Sequence, residues 1–485
     1  MNNTVTFEQI DRSPMTRRQY SIMAAAILAD MLEFFDFFLL GFILSFIVGP
    51  WELTYNQTAF LLLTSGVGAI AGGFAWGYIA DRIGRRKVFI ATVLTFSLAT
   101  GALALVPEGG WFLLGLLRFV VGFGVGGLYS VDLPLVQEFV PTRKRGFLGG
   151  MITVFIPLGL LLGSLLASTL GPVIGWRGLV LIGILPALLS LYIRAVVPES
   201  PRWLIHNGRR DEAREAIGWA LEISPEEVEL PDEVPVVHTS WRELFRHRRS
   251  LVVSWLGNLG AQTAEYGIIL WGPTLLVLVL AVSPAEAAFL FIFVSLSGFA
   301  GRVAFSILSD LVGRRVSGGL LGFGGALFLV LAALVPYDAF IAGISVFYIL
   351  MMLAFFFTDG GFAIVGPYAA EVWPTDLRTS GMGSAYGFGG LGKIFGPVGL
   401  ALIAGSSQIV NPEATITGLT PGFIFLACFA ALAGFVYFFL GIETKGKSIE
   451  EIDAELRVVG RQLSISPENE GVSGSVNPAS HRRRD

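Results

Sequence analysis

Apolar runs of 19 to 30 residues recur twelve times along the chain, at about 20–47, 58–80, 88–106, 111–137, 146–168, 177–197, 251–277, 285–308, 316–336, 341–370, 379–405 and 419–441. A helix needs about 20 apolar residues to cross the hydrocarbon of a bilayer, so each run predicts one crossing helix. Between the sixth and seventh runs lies a polar stretch, Pro198 to Ser250, whose piece RRDEAREAIGWALE (209–222) has amphipathic helical spacing. The pattern is six, an insert, then six. It divides the chain into a terminal segment 1–19, a half 20–197, the insert 198–250, a second half 251–441 and a tail 442–485. Residues 1–19 and the tail from about 457 are polar and are expected to be disordered.

Composition supports a lipid-embedded chain: 54% of the 485 residues are hydrophobic and 14% charged, with a mean hydropathy of +0.70. A single large soluble core does not explain apolar runs that recur at membrane-spanning length. Lysine and arginine fall on one set of connections: Arg17 and Arg18, Arg82 to Lys87, Arg143 to Arg145, the insert, Arg314 and Arg315, and Arg378. The alternate connections (48–57, 107–110, 278–284, 337–340, 406–418) have none, and Arg177 sits alone at the edge of the remaining one. Positive residues stay on the cytoplasmic side, so both termini and the insert are expected there, in a cell membrane. The first run is too long for the apolar core of a signal peptide and reads as the first spanning helix.

Several chemistries are disfavoured. The one cysteine, Cys428, lies in an apolar run, and all four histidines fall in polar segments, which leaves no thiolate cluster, intramembrane histidine relay or histidine-ligated metal within the membrane. Gly122, Gly124, Gly126 and Gly127 lie inside a spanning run with no strand before them, and so read as helix-packing positions rather than a nucleotide loop. No nucleophile, base and orienting group cluster, and no metal or phosphate motif is present. The sequence therefore predicts no enzyme, cofactor or nucleic-acid partner, and the expected partner of these runs is lipid, with the chain a monomer.

An internal repeat gives the architecture more firmly than hydropathy does. Asp81-Arg82-Ile83-Gly84-Arg85-Arg86 follows the second run, and Asp310-Leu311-Val312-Gly313-Arg314-Arg315 follows the eighth, 229 positions later (81 to 310). Pro134, Glu138, Pro141 and Arg145 near the end of the fourth run recur as Pro367, Glu371, Pro374 and Arg378, each 233 positions later (134 to 367). Duplicated halves with a site at their interface are the plan of a rocking transporter. The predicted fold is an all-α membrane protein of twelve transmembrane helices in two pseudo-symmetric six-helix bundles.

The motifs DRIGRR (81–86), RFVVGFGVGG in the fourth run, PLVQEFVPTRKRG after it, PESPRWL (198–204) and ETKGKSIEEI (443–452) resemble the major facilitator superfamily, and within it the sugar porter and organic ion (metabolite:proton symporter) branches. The resemblance spans residues 20 to about 455. It implies alternating access, with interhelical salt bridges that hold the cytoplasmic side closed while the site faces outward. Carried onto this sequence, that gating role falls on Asp81, Arg85, Arg86, Glu138, Arg145, Glu199, Arg202, Asp310, Arg314, Arg315, Glu371, Arg378 and Glu443.

Charges inside the runs are the sharper signal, because a carboxylate at the centre of a spanning helix costs about 2.5–3.5 kcal/mol on insertion scales. LADMLEFFDFFL (28–39) places Asp30, Glu33 and Asp36 within about 120° of one another around a helix, a face expected to look into a central cavity. Arg118 in the fourth run lies ~10 Å and Asp36 ~16 Å below the outer surface, a gap that a long arginine side chain spans. FFDFFLLG with RFVVGFG resembles the aspartate–arginine pair of proton-coupled sugar porters, which implies Asp36 as proton carrier and Arg118 as its partner, with Glu33 and Asp30 deeper on the same face. Tyr129, Asp132, Gln262, Glu265, Tyr266, Trp271, Phe357 and Asp359 are expected to line the cavity, and Lys393 in GGLGKIFGP to face an anionic substrate.

The seventh run departs from hexose carriers, since AQTAEYG (261–267) offers one glutamine and an acid where they carry paired glutamines. Proton-coupled symport of a small organic acid, with aromatic acids among the candidates, is the leading expectation. A sugar or polyol, or an organic cation drawn by the six acids, remains the alternative. A non-transporting sensor on this scaffold is expected to add a long signalling tail, and the tail here is short.

Overall fold

The structure is a computed structural model. It describes residues 8–230, 241–374, 377–405, 408–447 and 451–452, with the side chains of 8, 129–130, 142–154, 241, 370, 379 and 414 outside the described set. The tail expected to be disordered, and residues 1–7, also lie outside it.

Twelve helical segments run through the molecule. The first half holds α1 (Arg17–Ile47), α2 (Tyr55–Ile83), α3 (Arg85–Ala102), α4 (Trp111–Glu138), α5 (Thr142–Thr169) and α6, in two pieces (Gly171–Ile182 and Pro186–Val196). The second half holds α7 (Arg248–Leu280), α8 (Pro284–Val312), α9 (Arg314–Leu334), α10 (Val346–Gly360 resuming as Phe362–Glu371), α11 (Arg378–Gly389 resuming as Gly392–Gly405) and α12 (Pro412–Phe435, ending in a π turn, Val436–Leu440). Ten of these are long and apolar enough to cross a membrane among the described residues. The acids of α1 set it apart from those ten. Large apolar side chains such as Phe74, Leu105 and Leu311 are 66–84% exposed on the outside of the bundle, the inverse of a soluble surface.

Local signals set the boundaries. Thr16 with Gln19, Thr54 with Gln57 and Ser283 with Glu286 form reciprocal capping boxes that start α1, α2 and α8. Gly84 and Gly313 turn the chain between α2 and α3 and between α8 and α9 at φ of +102° and +98°, so the repeat in sequence is a repeat in backbone.

Three expectations shift. The sixth run was read as one helix from 177, with Arg177 at a loop edge; α6 starts at Gly171, kinks at Gly175 and restarts at Pro186, so Arg177 is helical and its Nη2 donates to the Val106 carbonyl at 2.9 Å. The tenth run was read as starting at 341. Residues Phe340–Ile341 and Ile344–Ser345 instead pair as a hairpin through Ala342 and Gly343, both at positive φ, and α10 begins at Val346. The expected disorder of residues 1–19 does not hold from residue 8 onward. Glu8–Arg12 is helical, Ile10 is buried with Ile217, Leu221 and Val228 of the insert, and Gln9 donates to the Glu227 carbonyl at 2.7 Å. The insert's own helix, Arg210–Leu221, follows its amphipathic spacing.

Within each half, close helix approach depends on small residues. A methyl on Gly126 of α4 would overlap the Ala69 carbonyl of α2. Between the halves, the described hydrogen bonds lie at the face opposite the chain termini. Leu53 and Tyr55 pair with Gln408 and Val410 through Tyr55 N to Gln408 O (3.0 Å) and Val410 N to Leu53 O (2.9 Å), and the Tyr55 hydroxyl meets Thr415 Oγ1 at 2.7 Å. Tyr55 also stacks on Trp271 of α7. These bonds fasten the halves at that face, whereas the Arg85–Glu138 and Arg314–Glu371 pairs at the terminus-bearing face each stay within one half.

Gly126→Val is expected to cost about 1–3 kcal/mol through forced separation of α2 and α4, seen as a lower melting temperature in detergent. Gly49→Ala, with nothing within 4 Å of the added methyl, should leave it unchanged. Tyr55→Phe removes one cross-half hydrogen bond, about 1 kcal/mol. It should raise the reactivity of a cysteine placed beneath that face toward an impermeant maleimide.

Candidate substrate and coupling site

The acids of α1 are all buried, at most 1% exposed, yet they meet different partners. Asp30 lies beside Asp132 of α4, with Glu33 as a second acidic neighbour. Glu33 is an electrostatic neighbour of Lys393 on α11 and of Tyr266 on α7. Asp36 looks into the first half, where its Oδ2 accepts from Thr100 of α3 at 2.7 Å. A face about 120° wide is broad enough for its two edges to meet different helices.

The expected side-chain pair of Asp36 and Arg118 is not formed. Arg118, fully buried, donates from Nε to Ser65 Oγ (3.0 Å), from Nη1 to the Asp36 carbonyl (3.3 Å) and from Nη2 to the Phe37 carbonyl (3.0 Å). A helical carbonyl keeps a second lone pair, so the guanidinium clasps the main chain of α1 beside the carboxylate. Asp36 Oδ1 has no hydrogen-bond partner.

A charge that sequence reasoning missed organises the second half. Arg302 of α8, 5% exposed, grips Asp359 of α10 with two bonds, Nη2 to Oδ1 at 2.7 Å and Nε to Oδ2 at 3.0 Å, and its Nη2 lies 3.6 Å from Glu265 Oε1 of α7. The signal was available, since an arginine within an apolar run marks a functional position by default. The repeat sharpens its meaning. By the spacings of 229 (73 to 302) and 233 (126 to 359), Arg302 and Asp359 stand where the first half has Gly73 and Gly126, and a methyl on Gly73 would lie 3.4 Å from the Gly126 carbonyl. The second half places an ion pair there, beside glycine packing of its own in which a methyl on Gly301 would overlap the Phe356 carbonyl.

The same spacing of 229 relates Asp36 to Glu265 (36 to 265), so each half carries a buried carboxylate at the matching place on its first helix. Beside Glu265, the ring of Tyr266 packs against Phe37 and Phe38 of α1. The Lys393 ammonium sits 5.1 Å from the Tyr266 centroid and 5.8 Å from that of Phe37, with Glu33 and Glu265 as charged neighbours. Rings from both halves and a cation thus meet at the interface.

The remaining expected lining residues scatter. Gln262 is buried against Gly389 of α11, and Trp271 donates to the Pro397 carbonyl at 2.9 Å near the fastened face. Phe357 packs on Phe305 and Phe328 among α8 and α9 and does not join the cluster. The side chain of Tyr129 lies outside the described residues, as does that of Arg145.

At the terminus-bearing face the two halves repeat one arrangement. Arg85 pairs with Glu138, whose other oxygen accepts from Ser200 Oγ at 2.6 Å and from the Arg202 amide at 3.3 Å. Arg314 pairs with Glu371 at 3.4 Å, and Thr444 Oγ1 donates to Glu371 at 2.6 Å. Glu199 accepts from the Arg86 amide at 3.0 Å, while Glu443 accepts from the amides of Arg314 and Arg315 at 2.9 and 3.2 Å. Each acid thereby caps a helix start that has no acid of its own. Arg86 and Arg315 reach main-chain carbonyls of Arg194 and Phe438, and Asp310 pairs with Arg314 at 3.2 Å. The Asp81 carbonyl takes the Trp203 indole at 2.9 Å. Arg378 opens α11, and its Nε is buried without a partner. None of these bonds joins one six-helix half to the other.

Two six-helix halves, fastened at one face around buried charges, define an integral multi-pass membrane carrier. Residues 21–456 match the family described as Sugar (and other) transporter, and the chain belongs to that family of the major facilitator superfamily. It is 30% identical over 462 residues to the niacin transporter NiaP of Acinetobacter baylyi, covering 92% of this chain and 98% of that one. It is 27% identical to the cis,cis-muconate transport protein of the same organism, covering 79% and 87%. Among solved structures, the xylose transporter XylE from E. coli in a partially occluded inward-open conformation is similar at a TM-score of 0.67 and 21% identity, over 89% of this chain and all of that one. A bacterial homologue of the lysosomal transporter Spinster, inward-facing, also aligns at 0.67, with 16% identity over 88% and 98%.

Asp359→Asn removes the carboxylate that takes the two short bonds of Arg302 and should destabilise the protein toward the low end of about 3–5 kcal/mol. The double variant Arg302→Met/Asp359→Leu should recover most of that loss in the same thermal unfolding assay.

Proposed function

We propose that this transporter carries a small unsaturated or aromatic organic acid together with protons, by alternating access across a cell membrane. The observation that carries the reading is the Lys393 ammonium held near Tyr266 and Phe37, a cation for a carboxylate between flat faces for a conjugated body. Relatives named for niacin and for cis,cis-muconate support that substrate class. Glu265 and Tyr266, which stand beside Lys393, join the proposed lining.

Asp36 is the proposed proton carrier. Its carboxylate is buried, has one oxygen on Thr100 and one unmet, and lies on the residue whose main chain Arg118 clasps, so gain or loss of a proton alters how α1 sits against α3 and α4. Glu33 and Asp30 lie along the proposed proton path. The charge bias of the loops supports cytoplasmic termini, a cytoplasmic insert 198–250 and two rocking halves, 20–197 and 251–441. In that orientation the fastened face is the outer one. Asp81, Arg85, Glu138, Glu199, Arg314, Glu371, Glu443 and their neighbours then act as the inner gate, held within each half here and exchanging partners across the halves when the inner side closes. A monomer suffices for this cycle, and no catalysis is assigned.

One observation favours a second reading. The buried acids Asp30, Glu33, Asp36, Asp132, Glu265 and Asp359 outnumber Arg118, Arg302 and Lys393 by six to three, a balance that would suit an organic cation.

Proteoliposomes with an alkaline interior are expected to accumulate labelled niacin or cis,cis-muconate, and a protonophore should abolish the accumulation. Uptake of D-xylose or of choline with neither acid transported would overturn the reading. Asp36→Asn should lose accumulation against a gradient while keeping exchange of internal for external substrate.

A further inference from the structure

Glu265 is buried, yet it is the most loosely held of the acids around Arg302. Asp359 takes the two short bonds of the guanidinium, whereas Glu265 stands off at 3.6 Å and its Oε2 meets no hydrogen-bond donor. It also has the Lys393 ammonium as a charged neighbour. Its carboxylate thus stands within the influence of two cations, 3.6 Å from the nearer, and outside the bidentate grip that holds Asp359. A substrate carboxylate entering beside Lys393 would need that same place.

We infer that Glu265 is a resident counter-anion, which the substrate carboxylate displaces from Lys393 and Arg302, and that the displacement requires a proton on Glu265. The inference rests on the organic-acid reading and adds a second proton-carrying residue to it. Proton balance is simple: a proton from the side facing the substrate moves onto Glu265, its attraction to the two cations ends, and the substrate anion replaces the lost negative charge. On release the proton leaves and Glu265 returns.

The surroundings of Glu265 support this role. Facing it are Arg302 from α8, Asp359 from α10 and Lys393 from α11, while Glu33 of α1 approaches Lys393 and Tyr266 from the other half, and Tyr386 of α11 neighbours Arg302. From 414 to 436, α12 places no acid or base there. Glu33 belongs to the other half, so its approach to Lys393 changes as the halves rock. Glu265, Arg302 and Lys393 all belong to the second half and keep their competition whichever face is open. The matching position of Asp36 gives the first half its own carboxylate, held near an arginine on a different helix.

The test measures equilibrium binding of labelled niacin and cis,cis-muconate to the purified full chain as a function of pH. Binding linked to one proton weakens about tenfold per pH unit above the linked group's titration. Wild type should show that slope, Glu265→Gln should bind with less than a twofold change across the same range, and Glu265→Asp should regain the slope with the curve displaced. If Glu265→Gln fails to survive purification, the Glu265→Asp curve decides, and superposition on wild type overturns the inference. A wild-type slope retained in Glu265→Gln overturns it alone. A wild type that binds neither acid overturns the organic-acid reading and this inference with it.

Discussion

Hydrocarbon cannot solvate charge, and that constraint orders the inside of this bundle. Six acids, Asp30, Glu33, Asp36, Asp132, Glu265 and Asp359, and the cations Arg118, Arg302 and Lys393 lie buried or half-buried within the spanning helices. None can be left to lipid, so each must find water, a donor or an opposite charge within the protein. The cations are fewer than the acids and become shared property. Arg302 is held by Asp359 and approached by Glu265, Lys393 is approached by Glu33 and Glu265, and Arg118 spends its donors on main chain and Ser65. Competition for cations turns a static cost into something that can change when a proton or an anion arrives.

The duplicated halves answer the constraint differently. Where the first half has Gly73 and Gly126, the second has Arg302 and Asp359. Both halves pack glycine against backbone, as Gly126 on Ala69 and Gly301 on Phe356 show, and the second adds a buried charge pair to that packing. Such a pair is costly to break by removing one partner and adds little when both are present, so its use lies in fixing where the charges stand. The clusters at the terminus-bearing face keep the duplication intact, with Arg85 on Glu138 and Arg314 on Glu371, because helix starts in both halves need the same carboxylate caps.

Much of this was legible in the sequence for physical reasons. Apolar run length reports bilayer thickness, and the repeat of DRIGRR at 310–315 reports a repeat of backbone, down to the positive φ of Gly84 and Gly313. Side-chain partners were less legible, because spacing along one helix says which face a residue occupies and not which neighbour meets it. Asp36 was placed on the cavity face and turned toward Thr100, and Arg118 reached the right residue but bound its carbonyl. Arg302 was passed over inside GFAGRVAF, although a lone arginine in such a run is as informative as the three acids of α1. The interruptions at Gly175 and in residues 340–345 were hidden because hydropathy does not distinguish an apolar helix from an apolar turn.

The pairing of Leu53 and Tyr55 with Gln408 and Val410 has a consequence for how this carrier tolerates change. Those bonds run from main chain to main chain and are indifferent to what the side chains are. Exposed Gln408 and Ile409 can change charge, size or polarity to suit a new surrounding or a new solute and still fasten. Only proline at 55 or 410, where the amide itself is the donor, would silence the contact. The closure of the molecule is in this respect written in a part of the chain that substitution seldom reaches, which leaves its surface free to diverge.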